Sequence, residues 1–175
     1  TIVFIILVLF YAINGLIYLI AIINLRVNKN KIKHSQNRLF PFVSVIVPSR
    51  NESQSIMRCL ECLIGQDYPG DKFEIIPVND DSDDGTDKII NQISEENTHI
   101  KPIHISVSKR KDQGKLNAID MGIQNAQGEI IITTDADIWM GPNWISQMVS
   151  GFDKQTGLII GITLDELSSN PVHAF

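Results

Sequence analysis

The first 25 residues, TIVFIILVLFYAINGLIYLIAIINL, contain no charged side chain. As a helix this segment would extend about 37 Å, at ~1.5 Å per residue, and would cross the ~30 Å hydrocarbon core of a bilayer with some tilt. A signal peptide fits less well, because the apolar run exceeds the usual ~7 to 15 residues and no small-residue cleavage site follows it. We therefore predict a transmembrane helix over residues 1–25.

Acidic residues are also absent from residues 26–41, where five basic residues occur: Arg26, Lys29, Lys31, Lys33 and Arg38. Short basic flanks tend to stay on the cytoplasmic side, so we expect a juxtamembrane linker here and a cytoplasmic domain after it. The linker either contacts anionic lipid headgroups or is simply solvated. All 20 acidic residues but only ten of the 15 basic ones lie beyond it, which leaves about ten net negative charges. This balance argues against nucleic acid as a partner.

Cysteine is scarce, with only Cys59 and Cys62 in the chain. Their C-x-x-C spacing resembles a redox or zinc motif, but no second pair exists to complete a four-ligand site. Both lie in SIMRCLECLIG, whose apolar residues, Cys59 among them, recur at helical spacing. Because free cysteine commonly behaves as a small buried hydrophobe, we interpret the pair as part of a helix that packs on the core.

From residue 42 onward, apolar β-branched runs alternate with amphipathic ones. The strand candidates are residues 43–48, 72–78, 100–107, 129–135 and 157–164. The helix candidates between them are residues 53–66, 85–96, 115–126 and 142–151. This alternation predicts an α/β fold with a mostly parallel sheet and helices on both faces.

Polar residues follow three of the predicted strands directly: residues 49–52, 79–86 and 135–137. In open parallel sheets, ligands bind beyond the carboxyl ends of the strands, so these residues are the candidates for function. The acidic run 79–86 does not form an EF-hand loop, because aligning Gly85 to the loop glycine puts Asn91 where a bidentate Glu is needed. Ser82, Asp83 or Asp84 could cap the next helix, whereas Asp80 at the strand end could accept a base or ribose hydrogen bond.

Asp135 and Asp137 are two residues apart after an apolar strand. Their side chains point to the same side if the extended conformation persists through Ala136. Two close carboxylates repel each other unless a cation or a proton intervenes, and an all-oxygen set with few protein ligands suits Mg²⁺ or Mn²⁺. A D-x-D alone is equally consistent with solvated carboxylates at a strand end.

Dense positive charge in the acidic domain occurs at Lys109, Arg110, Lys111 and Lys115. An anionic ligand such as a diphosphate requires such compensation, and Gly114 before a helix start leaves room for close approach. Residues 109–111 are also explained as a solvated charge run. Lys115 is therefore the candidate for ligand binding.

Four motifs in this order resemble family 2 glycosyltransferases, which are inverting, metal-dependent enzymes with the GT-A fold. The matching segments are VSVIVPSRNE (43–52), VNDDSDDGT (78–86), GKLNAIDMG (114–122) and GEIIITTDADIWMGPNWI (128–145). They resemble the family patterns V-S-V-I-V-P-x-x-N-E, V-D-D-G-S-x-D-G-T, G-K-x-x-A-L-N-x-G and G-E followed by D-A-D. The resemblance covers about residues 42–164 and implies a Rossmann-like GT-A domain, preceded here by a transmembrane helix and incomplete at its carboxyl end.

The resemblance also implies roles for individual residues. Substrate binding would involve Ser49, Arg50, Glu52, Asp80, Lys115 and Asp135. Asp80 matches the carboxylate that contacts the nucleobase, and Arg50 stands where the family usually has an aromatic residue. Lys115 matches a basic residue near the donor's base and phosphates. Asp135 would contact the donor sugar or the metal, and Asp137 would ligate the metal.

The implied reaction is transfer of a sugar from a nucleoside-diphosphate sugar, expected to be UDP-linked, to a hydroxyl of a glycan, lipid or other acceptor. Residues 42–175 would form the donor-binding part, with the catalytic base beyond Phe175, since Asp165 and Glu166 come too early. Two alternatives remain. A sugar-phosphate nucleotidyltransferase would more typically have a Gly-rich loop where this chain has P-S-R-N-E, and a non-catalytic nucleotide-sugar-binding module would share the same residues.

Overall fold

The computed structural model describes residues 4, 10–20, 40–106, 114–153 and 155–161. The chain divides into two compact units, Thr1–Arg38 and Leu39–Phe175. In the first unit, residues 10–20 are helical (α1) and expose apolar side chains such as Tyr11 and Leu16. Across the described ranges, no helix is both long and apolar enough to span a bilayer.

The predicted transmembrane helix over residues 1–25 is therefore not confirmed. Residues 1–3, 5–9 and 21–25 of that helix lie outside the described residues. The same holds for residues 26–39 of the basic linker and for residues 107–113, which include the basic run 109–111.

The second unit is an α/β domain built on four parallel strands. Its elements are β1 (Val43–Ser49), α2 (Ile56–Ile64), a 3-10 turn (Gly70–Lys72), β2 (Phe73–Asp80), α3 (Thr86–Glu96), β3 (Ile103–Ile105), α4 (Lys115–Asn125), β4 (Ile130–Thr133) and α5 (Trp144–Ser150). The strand order is β3-β2-β1-β4, and β1 pairs with both β2 and β4. The predicted α/β class and parallel sheet are confirmed.

The central strands are buried on both faces, which explains their nearly continuous apolar sequences. Alternate residues of β1 enter different cores. Val45 and Val47 pack with side chains of α2, α3 and α5, whereas Ile46 packs with Ala118 of α4 on the opposite face. Helices therefore cover both faces of the sheet, as predicted.

Helix α2 buries the stripe that the sequence predicted, including Cys59 and Leu60. Burial raises the pKa of the Cys59 thiol to about 12, so this cysteine remains protonated and inert. Cys62 is half-buried, and both cysteines are free thiols. The interpretation of the pair as part of a core helix is confirmed.

Two predicted strands differ from the structure. Strand β3 covers only Ile103–Ile105, apart from an isolated bridge between Ile75 and Ile100, because Pro102 has no N–H to donate to the ladder. The prediction of a strand over 157–164 is wrong for residues 157–161, which have no regular structure, and residues 162–164 lie outside the described part. Within the described residues β4 is the edge of the sheet, and residues 157–161 line a cavity beside β4 without pairing with it.

Candidate active site

All seven predicted site residues line one cavity at the carboxyl ends of the strands. The cavity has a volume of about 380 Å³, and its lining includes Ser49, Arg50, Glu52, Asp80, Lys115, Asp135 and Asp137. These residues come from the ends of β1, β2 and β4 and from the start of α4. A larger cavity of about 710 Å³ runs along β4 and residues 156–161 but contains none of them. The smaller cavity is the candidate site because its lining combines carboxylates with cationic side chains, which suits a charged ligand.

Two loops form one side of the cavity and are joined by hydrogen bonds. Asn51 donates its N–H to Ser82 Oγ at 3.0 Å, and its Oδ1 accepts the N–H of Asp83 at 3.0 Å. Asn51 has a φ of 56°, a left-handed conformation that Asn tolerates better than most residues. Asn51 lies within the predicted functional stretch 49–52, but no individual role was predicted for it; the available signal was that Asn between Arg50 and Glu52 tolerates a left-handed conformation.

Two more hydrogen bonds join the same two loops, at the next residues along the chain. Glu52 donates its N–H to Thr86 Oγ1 at 2.9 Å, and Ser53 donates its N–H to Asp84 Oδ2 at 2.9 Å. Asp84 also accepts the N–H of Thr86, the first residue of α3, at 3.0 Å. Hydrogen bonds, foremost that from the Thr86 side chain, hold the pKa of Asp84 well below its usual value. Asp84 therefore fixes the loop and the first residue of α3, but the N-cap of this helix is Gly85, so the capping role considered for Ser82, Asp83 or Asp84 is not confirmed.

Two predicted residues have structural partners within the protein. Ser49 is buried and donates its hydroxyl to the carbonyl oxygen of Val78 at 3.2 Å, which ties β1 to β2. The carboxylate of Glu52 accepts a hydrogen bond from Ser55 Oγ at 2.6 Å, just before α2. Both residues form the cavity wall while their side chains hold its loops in place.

Asp80 is the last residue of β2 and is almost completely buried beside the cavity. The next residue, Asp81, has a φ of 55° and stands where the family pattern has Gly. The loop therefore adopts a left-handed conformation at this position, which Asp tolerates better than most non-glycine residues.

Lys115 and Asp135 form an ion pair across the cavity, with 2.7 Å between Lys115 Nζ and Asp135 Oδ1. Both side chains are about half exposed, so the pair itself contributes little stability. The ion pair instead positions the Lys115 side chain, because it holds this cationic nitrogen beside the loop that follows β4. The φ of 48° at Gly114 suits a glycine at the turn just before Lys115.

Both carboxylates after β4 line the cavity. The chain turns at Ala136 and Asp137, however, where Ile138 donates its N–H to the carbonyl oxygen of Asp135 at 3.3 Å, so the extended conformation on which the prediction depended does not persist. Burial alternates along the chain here, with Thr134 and Ala136 buried and Asp135 and Asp137 exposed. No group of three or more His, Cys, Asp or Glu residues within the described ranges is arranged to hold a metal ion. Two carboxylates open to solvent nevertheless fit Mg²⁺ or Mn²⁺, which usually keep waters and bind substrate phosphates.

Known proteins similar to this chain include a curated relative and two solved structures. The relative is a probable glycosyltransferase, YdaM, from Bacillus subtilis, 34% identical over 69% of this chain and 29% of its own length. A mannosyltransferase from Pyrobaculum calidifontis, solved with GDP-Man and Mn²⁺, is 32% identical over 63% of this chain and 32% of its own, with a TM-score of 0.57. TarS of S. aureus, residues 1–349 with UDP-GlcNAc, is 26% identical over 62% of this chain and 30% of its own, with a TM-score of 0.55.

The chain thus spans about a third of the length of the curated relatives that it matches. A family model described as glycosyl transferase family 2 matches residues 44–170, which include the cavity-lining residues and, apart from Val43, all residues of β1 to β4 and α2 to α5. The chain belongs to glycosyl transferase family 2.

Proposed function

We propose that this protein is a membrane-anchored glycosyltransferase that moves a sugar from a nucleoside-diphosphate sugar to an acceptor hydroxyl, with metal assistance and inversion. One observation carries the proposal: seven side chains from three strand ends and one helix start converge on a single cavity of about 380 Å³. Family membership supports sugar transfer, and both similar structures described above were solved in complex with nucleotide sugars.

In this proposal the nucleoside lies against the ends of β1 and β2. Asp80, nearly buried at the strand end, accepts a hydrogen bond from the base or the ribose. Arg50, at the end of β1, stacks its planar guanidinium on the base, as arginine does on flat rings. Because hydrogen bonds between the two loops already fix their backbone, little ordering is needed when the nucleotide binds.

The diphosphate lies between α4 and the loop after β4. Lys115 exchanges its contact with Asp135 for a phosphate oxygen, which its flexible stem permits. Asp137, with Asp135 beside it, would hold a divalent cation at the same cavity. When bound, Mg²⁺ or Mn²⁺ would neutralise the charge that develops on the leaving diphosphate.

Transfer then occurs by direct displacement at the anomeric carbon, which inverts its configuration. A carboxylate base takes the proton of the acceptor hydroxyl as that oxygen attacks, and the nucleoside diphosphate leaves. We place this base in the acceptor-binding part, beyond Phe175. We propose UDP as the carrier, and a glycan, a lipid or another hydroxyl compound as the acceptor.

The proposed anchor is a transmembrane helix over residues 1–25, followed by a basic linker over 26–41 and a cytoplasmic domain over 42–175. The exposed apolar side chains of α1 support it, because so many such side chains on one helix favour an apolar environment. The uncharged sequence of residues 1–25 supports it as well.

Calorimetric titration with UDP and with GDP, each with and without Mn²⁺, tests the proposal. We expect UDP to bind more tightly than GDP, and Mn²⁺ to strengthen UDP binding by at least about tenfold, since it screens the diphosphate charge beside Asp135 and Asp137. We expect that Asp137→Ala abolishes the increase in UDP affinity that Mn²⁺ causes. The affinity for UDP in the absence of Mn²⁺ should stay nearly unchanged.

Asp71→Ala is the matched control, because Asp71 is an exposed carboxylate in the turn before β2, at the other end of the sheet from the cavity. Asp71→Ala should bind UDP, with and without Mn²⁺, as tightly as the wild-type protein does. Equal affinity for UDP with and without Mn²⁺ in the unchanged protein would contradict the metal-assisted mechanism.

A further inference from the structure

The segment that carries the two carboxylates has no regular structure between β4 and α5, and a glutamine from elsewhere in the chain supports it. Gln66 lies just after α2 and is buried, with 8% of its surface exposed. Its Nε2 donates to the carbonyl oxygen of Cys62 at 2.9 Å and to that of Gly141 at 2.8 Å. Its Oε1 accepts the N–H of Ile145 at 2.9 Å. One side chain thus connects the end of α2 to two points of residues 135–146, called here the carboxylate segment.

The hydrogen bond to Ile145 compensates for a missing helix cap. Helix α5 begins at Trp144, and its preceding residue, Asn143, makes no side-chain capping hydrogen bond. The first N–H groups of a helix have no partner within the helix and need one from outside. Gln66 supplies it from another element, so the position of α5 depends on this residue.

Further contacts link the carboxylate segment to α2 and the turn after it, among them a hydrogen bond that Ser146 Oγ donates to Asp67 Oδ1 at 2.9 Å. Asp67 donates its N–H to the carbonyl oxygen of Pro142 at 2.6 Å. The guanidinium carbon of Arg58 lies 3.2 Å from the ring centre of Trp139. Cys59 Sγ lies 3.6 Å from the carbonyl oxygen of Asp135 and donates a weak hydrogen bond to it. Gln66 is the buried polar group in this set that bonds to the segment at two places.

We propose that Gln66 is a positioning residue for Asp135 and Asp137, which holds their segment in place at the cavity so that these carboxylates would be available to a divalent cation and a diphosphate. This inference rests on the function proposed above. The loops that hold Arg50 and Asp80 are tied to each other by their own hydrogen bonds and make none with Gln66. Loss of Gln66 should therefore weaken the metal-dependent part of nucleotide binding and leave the nucleoside contacts unchanged.

The test is Gln66→Met, which has a side chain of similar length but lacks the amide. Gln92→Met is the matched control, since Gln92 is an exposed glutamine on α3. We expect the gain in UDP affinity from Mn²⁺ to fall by roughly five- to tenfold in Gln66→Met, because two buried hydrogen bonds to the segment are lost. The affinity for UDP without metal should stay within about twofold, and Gln92→Met should match the unchanged protein.

Tryptophan fluorescence gives a second readout that does not depend on ligand binding. The chain has two tryptophans, Trp139 and Trp144, and both lie in the carboxylate segment. We expect acrylamide to quench them more strongly in Gln66→Met, while far-UV circular dichroism remains unchanged. Gln66→Glu keeps the acceptor for Ile145 but loses the donor to Gly141, and it should show the same selective loss if Gln66→Met does not fold.

Three outcomes would overturn the inference. Mn²⁺ could strengthen UDP binding in both Gln66 variants as much as in the wild-type protein, or the variants could lose UDP affinity equally with and without Mn²⁺. The third outcome is that acrylamide quenches the tryptophan fluorescence of the variants and of the wild-type protein equally. If the unchanged protein itself shows no gain from Mn²⁺, the proposed metal-assisted function fails instead. In that case quenching alone still decides whether Gln66 positions the segment.

Discussion

Strand β2 carries a buried carboxylate near each end, and the two have different surroundings. Asp80, at the carboxyl end, lines the candidate active site. Glu74, at the amino end, is enclosed by partners: Ser44 Oγ donates to it at 2.6 Å, the N–H of Gln127 donates at 2.8 Å, and Lys101 Nζ lies 2.7 Å from its other oxygen. Glu74 therefore stabilises the fold at the end of the sheet opposite the site.

The pKa of Glu74 follows from these contacts. Burial alone would raise its pKa, but hydrogen bonds from Lys101, Ser44 and the Gln127 N–H outweigh burial, and the pKa is lowered from its ordinary value of 4.5. A carboxylate with a lowered pKa in the folded state adds stability at pH values above its unfolded pKa. This contribution is lost as the pH falls below about 4.5 and through the folded pKa.

We predict that Glu74→Gln lowers the free energy of unfolding by about 2 kcal/mol near pH 7, because charge-assisted hydrogen bonds in a buried site are lost. The difference from the unchanged protein should shrink as the pH is lowered through the range below about 4.5. Urea unfolding at pH 7 and at a pH below about 4.5 measures this difference in the free energy of unfolding. The exposed Glu61→Gln on α2 is the control, and a difference that does not depend on pH would contradict the assignment.

At the scale of elements, the close approach of α4 to the sheet places Lys115 at the site. A Cβ atom at Gly122 would lie 2.5 Å from Ile46 Cγ2, closer than any relaxed contact. Ile46 is completely buried in the central strand, so it has little room to move. The absence of a side chain at position 122 therefore sets the spacing between α4 and β1.

We predict that Gly122→Ala destabilises the domain by about 1 to 3 kcal/mol, because overpacking against Ile46 forces α4 outward. Gly157→Ala should be nearly neutral, since nothing lies within 4 Å of a Cβ at that position and no positive φ applies. Thermal or urea unfolding of the two variants measures the difference. Equal stability of both variants would contradict this prediction and show that α4 tolerates a larger distance from β1.

The sequence predicted the elements better than their ends. The runs that became β1 and β2 were recognised because strands covered on both faces are apolar along their whole length, and β4 was recognised by its three isoleucines although it is partly exposed. Helices α2 to α5 were each predicted within about three residues of their observed bounds, where amphipathic spacing and turn residues were clear. The strand predicted over 157–164 was wrong for its described residues, because an apolar β-branched run favours a strand but does not determine whether it pairs with the edge of the sheet.

The composition of the candidate site was predictable, but its internal contacts were not. Residues that follow parallel strands converge on one edge, which is why all seven predicted residues line one cavity. The ion pair of Lys115 with Asp135 and the support from Gln66 join residues 20 to 79 positions apart in the chain. Such contacts depend on the relative placement of elements, which periodicity and motifs do not specify.

For the Leu39–Phe175 unit as a whole, the strand order β3-β2-β1-β4 places β1 between the two strands whose ends carry the acidic residues. The Asp80 side and the Asp137 side therefore flank the end of β1, where Ser49 and Arg50 lie. The central claim is that this arrangement binds a nucleoside diphosphate, with the nucleoside toward β2 and the diphosphate toward β4 and α4.

A crystal structure with UDP and Mn²⁺ bound, with the metal located by its anomalous signal, tests that claim most directly. We predict that the uracil ring lies at Arg50 and Asp80, the diphosphate at Lys115 and the Mn²⁺ peak at the carboxylate of Asp137. UDP bound in the larger cavity along β4, or Mn²⁺ bound away from Asp137, would contradict it.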